Sequence, residues 1–220
     1  IDTKTAVDGV FAAGECACVS LNGANRLGSN SLTELLVFGA RAGRGAAAHA
    51  RDAAAAEAGA WRQRAEASVA RVEALLERPR GEETIAGLRT ELHEFMESCV
   101  GIYRDAAMLE RACDGIGRLR ERYRALGIED KSRVYNTELM YALELGAMLD
   151  VAETMAHAAR GRLESRGAHQ RLDYVERDDE GFLVHSVAHC TGEGPPSMER
   201  KDVTITQWEP GERVYGGPEQ

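Results

Sequence analysis

The residues best suited to chemistry lie near the start of the chain, in a loop at residues 19–29 that is rich in glycine and asparagine. Arg26 is the one cation of that loop, and its neighbours are small, amide-bearing or apolar, so it does not belong to a solvated run of charges. A guanidinium offers two parallel N–H donors that match the two oxygens of a carboxylate. The loop therefore predicts a site for an anionic ligand with Arg26 as the binding residue; a surface arginine is the alternative.

Three further positions complete this predicted site. Glu15 follows an apolar run at residues 10–13 and a glycine, which predicts a buried strand that ends at an acid. At the edge of an α/β sheet such an acid binds ribose-type hydroxyls, although capping of a turn is the alternative. Ser31 and Glu34 match the S-x-x-E capping box, which predicts a helix start. The backbone N–H groups of Ser31 and Leu32 would then lie at the positive end of the helix dipole.

The composition narrows the class of protein. The 220 residues are 44% hydrophobic and 29% charged, which is typical of one or two globular domains. The net charge of -9 argues against duplex nucleic acid as a partner, because phosphate binding needs a basic surface. Cys16 and Cys18 form a C-x-C pair without further ligands at metal-site spacing, so the five cysteines predict reduced thiols and no metal. The G-x-G-x-x-G, P-loop and G-x-S-x-G motifs are absent from this sequence.

Periodicity predicts how the rest of the chain is organised. Helical spacing predicts helices at residues 46–78, 82–98, 105–125 and 136–163, the last three as an antiparallel bundle. Alternating patterns predict strands at 182–190 and 202–206, with a turn at 192–196 that makes them a hairpin. The expected fold is α+β in three regions. These are the C-terminal edge of an α/β domain (1–48), a helical bundle (49–164) and a small C-terminal β-hairpin domain (165–220).

The junction between the last two regions carries many charges. Glu164, Arg166, His169 and Arg171 lie within eight residues, and such a junction predicts a buried network of salt bridges. Farther along, His185 and a histidine four residues later would share one face of a strand. We expect a polar sheet surface there rather than a metal site.

Several of these segments together resemble one known family, the flavoprotein subunits of succinate dehydrogenase and fumarate reductase. The resemblance depends on GVFAAGEC at 9–16, GANRLGSNSL at 23–32, ELLVFG at 34–39, GIYR at 101–104, VYNT at 134–137, ESRGAH at 164–169 and ERDD at 176–179. It covers nearly the whole chain. The ending, with VTIT at 203–206 and RVYGG at 213–217, is closer to bacterial fumarate reductases.

The resemblance implies FAD as the cofactor, fumarate and succinate as substrates, and hydride transfer between flavin and the substrate C=C bond. It implies that Glu15 contacts FAD, that Ser31 and Leu32 hold the isoalloxazine edge, and that Arg26 binds a substrate carboxylate. Partners would be an iron–sulfur subunit and membrane-anchor subunits, with the protein peripheral at the cytoplasmic face of the inner membrane. Asn22 stands where the family usually has histidine.

The resemblance also implies that this chain is the C-terminal part of such an enzyme. The dinucleotide fingerprint, the histidine that carries covalent FAD and the proton-donating arginine belong to the family's N-terminal half. The polypeptide alone is therefore expected to be inactive. Two other functions stay open at this point: an L-aspartate oxidase, which shares the Asn-Arg-Leu and Glu-Ser-Arg-Gly motifs, and a non-catalytic helical interaction module formed by residues 82–163.

Overall fold

The structure, a computed structural model, describes residues 2–54, 58–192, 194–207 and 210–211. The described residues form six helices and four short strands in the following order: α1 (Asn30–Asp52), α2 (Ala58–Glu77), α3 (Ile85–Val100), β1 (Tyr103–Arg104), α4 (Ala106–Arg124), α5 (Thr137–Gly161), β2 (Gln170–Arg171), α6 (Asp179–Phe182), β3 (Val184–His189) and β4 (Ser197–Asp202).

Three helices, α3, α4 and α5, pack together and enclose the hydrophobic core. Side chains at helical spacing point into it, because residues three and four apart share one face of a helix. The fully buried members include Leu88, Leu109, Ile116, Leu145 and Leu149, and the end of α2 adds Leu75 and Leu76. The predicted bundle is thus confirmed, with boundaries that differ from the expectation by a few residues.

The caps of these three helices explain where each begins. One capping residue precedes each helix: Thr84 before α3, Asp105 before α4 and Asn136 before α5. The side chain of each cap accepts a hydrogen bond from the backbone N–H three residues later. Asn136 Oδ1 accepts from the Leu139 N–H at 2.8 Å. Such a cap satisfies one of the N–H groups that a helix start leaves without an internal partner.

The helix predicted over 46–78 is wrong as a single element. Its first residues belong to α1, which ends at Asp52, and the second part is α2, which begins at Ala58. Residues 55–57 lie outside the described part of the chain. Alanine and arginine favour a helix on both sides, so composition alone did not reveal the interruption.

The predicted hairpin is confirmed, but its second strand lies earlier than expected. β3 pairs antiparallel with β4 in a register that joins His189 to Ser197 and Val184 to Asp202. The strand expected at 202–206 is therefore wrong beyond Asp202. All six residues of β4 are exposed, so backbone pairing with β3, rather than burial of alternate side chains, defines this strand. Glu193, within the expected turn, lies outside the described residues.

A second small sheet ties the bundle to the charged junction. β1 and β2 pair in parallel, with Tyr103 opposite Gln170 and Arg104 opposite Arg171. The two short sheets and the helices agree with the α+β expectation. None of the helices in the described ranges combines the length and the apolar character needed to cross a bilayer.

The strand predicted over 10–13 is wrong. Phe11 forms a single antiparallel bridge with Lys4, and Val10 is exposed. The Thr5 N–H donates to the Val10 carbonyl at 3.0 Å, and the Ala12 N–H donates to Thr3 O at 2.9 Å. A strand needs a ladder of partners on at least one edge, and the described residues provide only this short pairing.

Candidate functional site

The loop that carries Arg26 ends at the start of α1. Ser29 precedes the helix with a left-handed backbone, φ 65°, and its side chain makes no capping hydrogen bond. The predicted capping box is therefore wrong, since the helix begins at Asn30 and Ser31 already lies within its first turn. Glu34, expected to cap the backbone, is buried instead and accepts a side-chain hydrogen bond from the loop.

That hydrogen bond is one of three contacts that hold the loop at alternate residues. The Asn22 amide donates to Glu34 Oε2 at 2.5 Å. Two residues earlier, Ser20 Oγ lies 2.6 Å from His185 Nε2, on β3. Two residues later, the Ala24 carbonyl accepts from the Ala168 N–H at 3.3 Å.

Two of these three partners come from the C-terminal third of the chain, and sequence reasoning missed all three. No local pattern connects Ser20 to a residue 165 positions away. The resemblance assigns a histidine to position 22, and the structure shows what Asn22 does there. The side-chain amide of Asn22 is neutral, and it donates a hydrogen bond to the Glu34 carboxylate.

Arg26 lies two residues beyond the last contact. It is exposed, and it makes no hydrogen bond or salt bridge to any of the described residues. On either side of it, Asn25 and Leu27 line a depression of about 340 Å³ that also includes Asn30 at the start of α1. The structure thus leaves this guanidinium without a partner among the described residues, on a loop whose neighbouring residues line a polar depression.

The residues predicted for the cofactor lie on the same part of the chain. Glu15 is exposed and follows Gly14, whose φ of 85° turns the backbone. The Leu32 N–H donates to the Ser29 carbonyl at 3.1 Å, so the peptide at this position is already paired. The Ser31 N–H has no acceptor among the described residues, so it is available as a donor in the first turn.

These features fit an anionic or carbonyl-bearing group at this helix start. A free N–H in the first turn adds to the partial positive charge of the helix end. The side chain of Leu32 is 62% exposed, and Leu35 and Leu36 on the next turn are exposed as well. An apolar surface beside polar donors is what a planar ring with one polar edge requires.

A second depression and the cysteine and histidine side chains considered as metal ligands do not form part of this site. A depression of about 710 Å³ is lined by Asp2 and, in the second half of α1, by Arg41, Arg44 and Gly45. Cys16 and Cys18 are exposed free thiols. His189 pairs with Glu199 at 2.6 Å on the hairpin, and the described residues contain no group of three ligands suited to a metal.

The charged junction forms the predicted buried network. The Glu164 carboxylate is completely buried and accepts from Arg166 at 2.8 and 2.9 Å, from the Asp178 N–H at 2.8 Å and from Arg162. Burial alone would raise the pKa of Glu164, but these hydrogen bonds outweigh it and hold the pKa below its ordinary value. Glu164 is therefore a paired carboxylate at neutral pH.

The rest of the junction is equally well connected. Arg171 is buried, binds both oxygens of Asp173 at 2.7 Å and donates to carbonyls at the end of α5. His169 Nε2 lies 3.1 Å from the Arg162 carbonyl. Burial and the nearby arginines lower the pKa of His169, so its ring is neutral at pH 7. The junction thereby presents a rigid turn, residues 166–169, to the Arg26 loop.

The chain matches two family models. Residues 89–215 match the family described as fumarate reductase flavoprotein C-term, which is more than half of the chain. Residues 2–32 match the FAD binding domain family, a segment that contains Glu15, Arg26, Ser31 and Leu32.

Comparison with individual proteins agrees with the matches to the family models. The chain is 50% identical over 220 residues to the fumarate reductase flavoprotein subunit of Mycobacterium tuberculosis, covering 98% of this chain and 38% of that protein. It is 40% identical to the succinate dehydrogenase flavoprotein subunit of Coxiella burnetii, over 82% of this chain and 30% of that protein. A solved structure of E. coli quinol fumarate reductase matches with a TM-score of 0.94 and 45% identity, over 98% of this chain and 37% of that one.

The chain thus spans less than two fifths of the length of each of these relatives. Within that span, the similarity covers the bundle, the charged junction and the Arg26 loop alike. The chain therefore belongs to the family of fumarate reductase and succinate dehydrogenase flavoprotein subunits, of which it represents the C-terminal region.

Proposed function

We propose that this chain forms the substrate-binding loop and part of the flavin site of an enzyme that interconverts fumarate and succinate with FAD. The observation that carries the proposal is the state of Arg26. It is exposed beside the start of α1, it has no partner among the described residues, and its loop is held at Ser20, Asn22 and Ala24. An unpaired cation on a restrained loop is suited to bind an anion without a large ordering cost.

In this proposal the Arg26 guanidinium binds one carboxylate of the dicarboxylate through two parallel hydrogen bonds. Bound FAD supplies hydride chemistry at the C=C bond. When hydride adds to one carbon of fumarate, negative charge develops on the adjacent carbon and its carboxylate. A fixed cation at that carboxylate stabilises this charge more than it stabilises the ground state, which lowers the barrier. The proton that completes succinate is assigned to an arginine outside these 220 residues.

The cofactor roles follow from the first turn of α1. The free Ser31 N–H is proposed to donate to a polar edge of the flavin ring, and the exposed Leu32 side chain to contact its apolar surface. Glu15 is proposed to bind a hydroxyl of FAD. The partial positive charge of the helix end would stabilise a reduced, anionic ring.

We propose that the chain is divided into three regions. Residues 1–48 belong to the flavin domain, residues 49–164 form the helical bundle and residues 165–220 form the C-terminal hairpin region. We infer an iron–sulfur subunit and membrane-anchor subunits as partners, and peripheral attachment at the cytoplasmic face of the inner membrane. Similarity to quinol fumarate reductase supports this assembly. The direction of turnover depends on the reduction potentials of the flavin and the quinone.

The experiment is replacement of Arg26 by alanine in the FAD-loaded holoenzyme. Loss of two charge-assisted hydrogen bonds should raise the KM for fumarate by about 10- to 100-fold. Arg118→Ala, which removes an exposed arginine from α4, is the matched control and should leave KM unchanged. Because the cation also stabilises charge that develops in the transition state, kcat should fall as well, and a variant with unchanged KM and unchanged kcat would refute the proposal.

Two additional measurements test its remaining parts. Consumption of L-aspartate without reduction of fumarate would favour the L-aspartate oxidase alternative. Residues 1–220 alone are expected to retain no FAD and to show no turnover, and retention of FAD through gel filtration would contradict that expectation.

A further inference from the structure

We propose that Gly167, in the charged junction, is a positioning residue for Arg26, because its missing side chain lets the Arg26 loop lie against the junction. This inference rests on the proposed function, since it concerns how the binding loop is held. Gly167 is distant from Arg26 in sequence and belongs to the C-terminal third of the chain.

The contact between the two segments is close. A Cβ atom built on Gly167 would lie 2.9 Å from the carbonyl carbon, the oxygen and the Cβ of Ala24. Real side chains do not tolerate such distances, and two of the three atoms are backbone. Any side chain at position 167 would therefore displace the loop backbone or the junction itself.

The junction is the more rigid of the two. Within its turn, the Arg166 N–H donates to the His169 carbonyl at 2.8 Å, and the His169 N–H donates back at 3.0 Å. Gln170 Nε2 donates to the Gly167 carbonyl at 2.7 Å. The turn is anchored by the ion pair of Arg166 with the buried Glu164 carboxylate.

The loop has fewer contacts. Beyond Asn22, the one hydrogen bond that joins the loop to the C-terminal third of the described chain runs from the Ala168 N–H to the Ala24 carbonyl, at 3.3 Å. Steric pressure at Gly167 would act on that same residue. Ala24 precedes Arg26 by two positions, so a displaced Ala24 backbone changes the place of the guanidinium. A misplacement of about 1 Å in a binding group is enough to weaken function by up to about 100-fold.

Gly167 also has a left-handed backbone, φ 58°, which an alanine adopts only with strain. That effect must be separated from the steric one. Gly192 offers the matched control, because it too is left-handed, with φ 94°, while a Cβ there would meet nothing within 4 Å. Gly192→Ala thus carries the backbone strain without the collision.

The experiment compares Gly167→Ala and Gly192→Ala in the FAD-loaded holoenzyme. The probe is malonate, a non-reacting dicarboxylate, whose dissociation constant is measured by titration calorimetry. Gly167→Ala should raise the malonate dissociation constant and the fumarate KM about tenfold, with a smaller change in kcat. Gly192→Ala should leave both unchanged. Equal values for the two variants would overturn the inference.

A second substitution tests the contact from the other side. Ala24→Gly removes one of the three colliding atoms, so the double variant Gly167→Ala, Ala24→Gly should recover part of the malonate affinity. No recovery would assign the loss to the junction and overturn the inference. If Gly167→Ala fails to fold, Ala24→Val adds bulk to the same contact from the loop, and unchanged malonate affinity in that variant would equally overturn it.

Failure of this inference is distinguishable from failure of the proposed function. If Arg26→Ala weakens malonate binding and Gly167→Ala does not, Arg26 binds the dicarboxylate and Gly167 has no positioning role. If Arg26→Ala leaves malonate binding unchanged, the proposed function itself is wrong.

Discussion

Glu164 and Arg166 form a two-point ion pair in which the carboxylate is entirely shielded from solvent. Arg166 Nε lies 2.8 Å from Oε1 and Nη2 lies 2.9 Å from Oε2. Arg166 also donates to Asp179 Oδ1 at 2.6 Å, which links the charged junction to α6. This pair fixes the turn that supports the Arg26 loop, so its stability bears on the site as well as on the fold.

Replacement of Glu164 by alanine should lower the free energy of unfolding by about 3–5 kcal/mol, since it leaves two arginines near the core without their shared anion. Urea unfolding followed by circular dichroism measures the loss. The control is Glu121→Ala, which breaks an exposed pair with Arg124 and should cost less than about 1 kcal/mol. Equal losses in the two variants would contradict this account of the junction.

Two glycines of α4 should respond to alanine with opposite signs. Gly117 faces open space, so Gly117→Ala should stabilise the helix by about 0.5–1 kcal/mol. Gly115 is buried, and a Cβ there would lie 2.6 Å from the Phe95 ring, so Gly115→Ala should destabilise by about 1–3 kcal/mol. Thermal unfolding of both variants tests the pair. A stabilised Gly115→Ala would show that the α3–α4 interface has free room.

His169 should make stability depend on pH near neutrality. Burial and the charges of Arg104, Arg171 and Arg162 lower its pKa in the folded protein, while the Arg162 carbonyl opposes this shift. As pH falls below about 6.5, His169 therefore binds a proton more readily in the unfolded chain than in the folded protein. The stabilising contribution of the neutral ring is lost as pH falls. His169→Gln, which does not titrate, should flatten the curve of unfolding free energy between about pH 7 and pH 5. If the slope of unfolding free energy against pH were the same in His169→Gln as in the native chain, His169 would not be the source of the pH dependence.

Asp173 should contribute stability that disappears only in acid. Hydrogen bonds from Arg171 and from the Ala106 N–H lower the pKa of Asp173 to about 2 in the folded protein. A depressed carboxyl pKa stabilises the fold above about pH 4, and the effect is lost as pH falls toward 2. The difference in unfolding free energy between the native chain and Asp173→Asn should shrink over that interval. A difference that stays constant from pH 6 to pH 2 would refute the pairing.

Local patterns predicted the helices of the bundle because a helix is encoded locally. Apolar residues at three- and four-residue spacing mark the buried faces of α3, α4 and α5, and the helix predicted from position 136 begins one residue after its cap, Asn136. The same reasoning was wrong at Ser31 and Glu34. That motif is compatible with a cap, but Glu34 has a stronger tertiary partner in Asn22.

The strands were less predictable for a related reason. The residues of β4 are polar and exposed, and only the register with β3 makes them a strand. The apolar residues 10–13 looked more like a strand but have one bridge among the described residues. Pairing decides a strand, and pairing depends on a second segment of chain.

Periodicity and short motifs depend on neighbouring residues, so the amino-acid sequence was enough to predict the helical bundle, the family and the position of Arg26 in a glycine-rich loop. The contacts that hold this loop became visible only in the folded chain. His185, Glu34 and Ala168 meet Ser20, Asn22 and Ala24 because the folded chain brings distant backbone segments within hydrogen-bonding distance. Such contacts depend on the relative position of whole elements, and no local spacing encodes that position.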